Sequence, residues 1–132
     1  RMPLTPQPDR DHPSPTPIDA QRWDDLARML HGNADVLHDL VRTFVDPAPE
    51  EDAALRSAID AADWPRMRRL AHRLKGSAAA LGALRLAQLC QELEQLADPD
   101  LQALAATTAA RLISEHQAAC GDLNQRTGRR PS

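Results

Sequence analysis

An imidazole, an ammonium and a glycine lie close together at His72, Lys75 and Gly76, inside the run Leu70 to Ala83 (LAHRLKGSAAALGA). A neutral imidazole, with its unperturbed pKa of about 6.5, is a good nucleophile near neutral pH and a natural carrier of a transferred group. An ammonium beside it can neutralise charge on that group. Lys75 is the single lysine among 16 basic residues, in a chain that otherwise uses arginine throughout. A compact ammonium on a flexible stem fits a small anion differently from a planar guanidinium.

This chemistry needs a helix that turns the imidazole outward. At about 100° per residue, Met67, Leu70, Ala71, Leu74, Ala78 and Leu81 share one narrow arc, the spacing of a buried helix face. His72 lies roughly 150° round the wheel from the centre of that arc and points to solvent. Arg68 and Lys75 stand one turn away on either side. Gly76 occupies the same outer face, where glycine costs about 1 kcal/mol relative to alanine. Something outside the helix must favour it. Ala79 is also small, so a partner's backbone can come close to the ring on this face, and Arg68, Gly76 and Ala79 become the candidate partner-binding residues.

The pattern His72-x-x-Lys75-Gly76-Ser77, then Gly82, then Leu86-Ala87-x-Leu89-Cys90-x-x-Leu93-Glu94 resembles the histidine-containing phosphotransfer (HPt) domains of bacterial phosphorelays. The resemblance runs from about Ile18 to Leu123. It implies that Nε2 of His72 takes a phosphoryl group from a receiver-domain aspartate and passes it to the aspartate of a response regulator. Nδ1 would be held by an acceptor on the neighbouring helix, and Glu94 matches that position. The catalytic set expected is therefore His72, Lys75 and Glu94. Partners would be receiver domains, each bringing its own Mg²⁺ and lysine, with no cofactor in this domain. The resemblance also implies a cytoplasmic module, placed at the C-terminal end of a hybrid sensor histidine kinase anchored in the inner membrane. The chain has no Gly-rich nucleotide loop, so neither nucleotide binding nor autonomous catalysis is expected.

Composition narrows the classes further. At 132 residues the chain suits one domain. Aromatics make up only 2%, so the core must be aliphatic, from Leu, Ala, Val and Ile, a mix that favours helices. A net charge of -3 argues against nucleic acid as a main partner. No apolar run approaches the roughly 20 residues needed to span a bilayer, and no signal peptide is evident. Cys90 and Cys120 lack metal-ligand spacing and fit a reducing compartment, with a disulfide between them left open.

Around the central helix the elements follow in order. Residues 1–17 hold six of the 11 prolines and read as an extended linker. Asp19 is a plausible N-cap, with Ile18 and Trp23 as a hydrophobic staple, for a short helix ending at Gly32. Asn33 can cap the next helix, with Val36, Leu37, Leu40, Val41 and Phe44 on its apolar face. Pro47 and Pro49 predict a break where many HPt domains continue one helix, and Glu50, Glu51 and Asp52 suit the positive end of the resuming helix. Asp63 caps the central helix and Gly82 ends it. Leu86 to Ala97 form the next buried face. Asp98-Pro99 opens the last helix, with Leu101, Leu104, Thr108 and Leu112 inward and Gly121 as its stop. The sum is an all-α, up-and-down antiparallel four-helix bundle over 18–123 with a short additional N-terminal helix, followed by a flexible tail over 124–132.

Two other readings of function stay open at this point. One is a non-catalytic helical interaction module; the other is the phospho-accepting domain of a chemotaxis-type kinase. A metal site on His31, Asp35 and His38 lacks a full ligand set, and no partner can be named for His12 or His116.

Overall fold

The computed structural model of the chain describes residues 16–128. The expected linker over 1–17 lies outside these residues except for Thr16 and Pro17, as does the end of the expected tail. Six α-helices and one 3-10 turn make up the fold, with no strand among the described residues. They are α1 (Ala20–Met29), α2 (Ala34–Val45), α3 (Ala48–Asp60), α4 (Trp64–Ala80), α5 (Leu84–Glu94), the 3-10 turn Pro99–Leu101 and α6 (Gln102–Arg126).

Side-chain caps set the starts of three of the six α-helices. The Asp19 side chain accepts from the Arg22 N–H, Asn33 from the N–H groups of Asp35 and Val36, and Asp63 from Arg66. Each satisfies a donor that the first helical turn leaves unpaired. The break expected at the prolines is present: α2 stops at Val45, and α3 starts at Ala48 with Pro49 in its first turn.

Helices α3 to α6 pack in a ring, α3 on α4, α4 on α5, α5 on α6 and α6 back on α3. Pairing is antiparallel across the closing seam, since Asp52 meets His116 while Gln102 donates to the Ile59 carbonyl at 3.2 Å. Inside lie Leu55, Met67, Leu74, Leu86, Leu93 and Leu112, all buried. Helix α1 closes one end. The Asp19 N–H donates to the Gly82 carbonyl at 2.9 Å, and the Ile18 N–H donates to Asp122 of α6 at 3.1 Å. Gly82 has φ +86°, and a Cβ there would stand 3.0 Å from that of Arg22. Glycine therefore ends α4 for two reasons, its left-handed backbone and the close approach of the entering chain.

Several expectations are corrected. Val36 and Leu40 are exposed rather than inward, leaving Val41 and Phe44 as the buried residues of α2. On α6, Leu104 is 52% exposed, and the inward set is Ala105, Thr108, Ala109, Leu112, Ile113, His116, Ala119 and Leu123. Gly121 does not stop the helix, which runs on to Arg126, so Asn124 to Arg126 belong to α6 and not to a tail. A helix-interior glycine costs only about 1 kcal/mol, and burial of Leu123 just beyond it offsets that.

Asp52 and His116 are the larger correction. Asp52 is buried and lies beyond the first-turn acids Glu50 and Glu51, and its Oδ1 lies 2.6 Å from Nδ1 of the fully buried His116. The imidazole also packs edge-on against Phe44, with ring centroids 5.3 Å apart.

Candidate functional site

Met67, Ala71, Leu74 and Ala78 seat α4 in the core, so its opposite face is fixed outward. His72 stands on that face with its side chain 72% exposed. On α5, Leu86, Leu89, Cys90 and Leu93 are buried in turn, and this places Glu94, the last residue of the helix, against α4. One Glu94 oxygen lies 2.7 Å from Nδ1 of His72, and the other accepts from Nζ of Lys75 at 2.8 Å. The carboxylate is 15% exposed and bridges the two groups.

The chemistry of the ring follows from that bridge. Burial alone would raise the Glu94 carboxyl, but the hydrogen bonds from Lys75 and His72 outweigh it and hold the group below its ordinary value. An ionised carboxylate only accepts, so the nitrogen facing it must be Nδ1–H. In the neutral ring Nε2 is then left with a free lone pair, on a side chain that is mostly exposed. An exposed nucleophilic nitrogen on a ring held from behind is what acceptance of a phosphoryl group requires.

All three candidate catalytic residues therefore come together. Arg68 lines the hollow around the ring, with Arg69, Arg73 and Glu94. Gly76 and Ala79 continue the exposed strip beyond the ring, and an added Cβ at Gly76 would meet nothing within 4 Å. Open space there means that no packing inside the domain demands glycine. Sequence reasoning missed Arg73, although its place next to His72 on an outward face was a usable signal. Ser77 is exposed and bonds back to the Arg73 carbonyl at 3.4 Å.

The other reactive groups do not join the site. Burial, with Glu94 next, pushes the Cys90 thiol up to about 12, and burial with Asp52 does the same to Cys120. Both are free thiols. Among the described residues no three His, Cys, Asp or Glu side chains are grouped to hold a metal ion, His31, Asp35 and His38 included. Nor is any described helix long and apolar enough to cross a membrane.

A helical bundle offering one half-tethered, exposed imidazole is the architecture of a phosphotransfer domain, and the comparisons agree. Residues 39–126 match the family described as the Hpt domain, and the chain belongs to that family. Its function is histidine phosphotransfer within a relay, in which Hpt domains exchange phosphoryl groups with receiver domains of two-component systems. The crystal structure of histidine-containing phosphotransfer protein B (HptB) from Pseudomonas aeruginosa PAO1 is similar, with a TM-score of 0.72 and 27% identity over 89% of this chain and 100% of that one. A search of curated proteins finds no match.

Proposed function

We propose that His72 is the phosphorylated residue, with Glu94 and Lys75 completing its site. Nε2 attacks the phosphorus of a receiver aspartyl phosphate; the P–O bond breaks, the aspartate leaves as carboxylate, and a P–N bond forms. Nδ1 keeps its proton throughout and donates it to Glu94. The same steps reversed load the aspartate of a response regulator. Such a loose transition state needs alignment and charge stabilisation more than acid–base work, and the receiver supplies its own Mg²⁺ and lysine. The observation that carries this reading is the 2.7 Å contact between Nδ1 and Glu94 on an otherwise exposed ring.

Docking centres on α4, with Arg68, Gly76 and Ala79 facing the partner, and the contact is small and transient. The setting is cytoplasmic, in or beside a membrane-anchored hybrid sensor kinase. To test the reading, the domain is incubated with radiolabelled phosphorylated receivers of the source genome. An acid-labile, base-stable label that disappears in His72→Gln is expected. Failure of every receiver to label the domain would favour a binding module without chemistry.

A further inference from the structure

We infer that Lys75 is a positioning residue acting on His72 through Glu94, and that Arg69 is the cation facing the phosphoryl group. This deepens the proposed function and rests on its assignment of His72. Lys75 is spoken for: its Nζ bonds the Glu94 oxygen opposite the one that meets His72, and its side chain is only 28% exposed. The two nitrogens of an imidazole lie on opposite flanks of the ring. With Nδ1 turned toward α5, Nε2 turns away from Glu94 and from the ammonium held behind it.

Helix geometry says what Nε2 turns toward. Lys75 falls about 60° round the wheel from His72 on the α5 side, and Arg69 falls about 60° round on the other. Helical side chains also lean toward the N-terminus, so the ring lies over the turn carrying Arg68 and Arg69 rather than over Gly76. The surface agrees: Arg68, Arg69 and Arg73 line the hollow around the ring, whereas Lys75 opens into a separate groove with Ala79 and Leu84. Arg73 also faces the charge of Glu51 on α3, while Arg69 has no ion-pair or hydrogen-bond partner among the described residues. A guanidinium with no prior partner can fork onto two phosphoryl oxygens.

Phosphoramidate, a small donor that needs no partner protein, tests this directly. Its P–N bond breaks and ammonia leaves as the new P–N bond forms at Nε2, with the Nδ1 proton retained. Loading rates are compared for Lys75→Met, Arg69→Gln, Glu94→Gln and the two double variants, while nitrogen-15 shifts of His72 report its tautomer. Glu94→Gln keeps an acceptor for Nδ1–H but cuts the ionic link to Lys75. Lys75→Met should slow loading about tenfold, the scale of one charge-assisted hydrogen bond, and should shift the tautomer ratio. In the Glu94→Gln background it should add less than about twofold, because the link is already lost. Arg69→Gln should slow loading about tenfold in both backgrounds with the tautomer unchanged. A Lys75→Met effect undiminished in the Glu94→Gln background, or an Arg69→Gln variant that loads like wild type, would overturn the inference. Unimpaired loading of His72→Gln would instead overturn the assignment of His72 itself.

Discussion

Replacing the fully buried His116 by an apolar ring should be among the most damaging single changes in this domain. The imidazole is fully buried, and Asp52 opposite it has 7% of its side chain exposed. In His116→Phe the ring still packs beside Phe44, so little cavity is created, but the Asp52 carboxylate loses its partner in a site closed to water. Stranding one member of a buried pair costs about 3–5 kcal/mol, a large share of the roughly 5–15 kcal/mol that holds a domain folded. For a domain of this size that is a fall in Tm of roughly 10–20 °C. Asp52→Leu should cost less, about 1–3 kcal/mol, because it strands an imidazole N–H and not a carboxylate. The double variant Asp52→Leu/His116→Phe removes both polar groups and should recover most of the His116→Phe loss, with a shortfall of about 1–3 kcal/mol from the larger side chains. Urea unfolding of the four proteins gives the coupling energy. A His116→Phe cost under about 1 kcal/mol would show that water reaches the pair and that the desolvation argument fails.

Three further outcomes are expected. Gly76→Ala should stabilise the isolated domain by up to about 1 kcal/mol, since nothing lies within 4 Å of the added Cβ, while slowing transfer from a receiver more than loading from phosphoramidate; equal effects on both donors would remove the docking role of the glycine. The folded-state value of Glu94 lies below its ordinary 4.5, so its stabilising contribution is complete above that pH and is lost as pH falls through the lower folded value. Denaturation curves should therefore show wild type losing stability in that acid window relative to Glu94→Gln, and parallel curves would contradict it. Cys90 and Cys120, both pushed up to about 12, should resist iodoacetamide in the native protein and react on unfolding; rapid native alkylation of Cys90 would mean that the α5 core opens locally.

What could be read from the sequence, and what could not, follows from how far each interaction reaches along the chain. Caps at Asp19, Asn33 and Asp63 and the break at Pro47 are local, set by a residue and its own next turn. The outward aim of His72 needed only one wheel. Its bond to Glu94 crosses two helices, and there the likeness to a family named the partner where periodicity could say only that Glu94 lay near a seam. The α6 face went astray only at Leu104, for a different reason: Leu104, Thr108 and Leu112 are spaced by fours, and such a row drifts about 40° at each step, so Leu104 is exposed while Thr108 and Leu112 stay inward. The observed inward row, Ala105, Ala109, Leu112, His116, Ala119 and Leu123, alternates fours and threes and stays on one side. Followed without regard to residue type, that alternation passes through His116, just as the row Ala48, Asp52, Leu55, Ile59 on α3 passes through Asp52. Both polar residues thus stood on apolar rows in the sequence, where an ionisable group is rarely tolerated alone. Two such anomalies on helices that pack against each other are grounds to pair them before any coordinates exist.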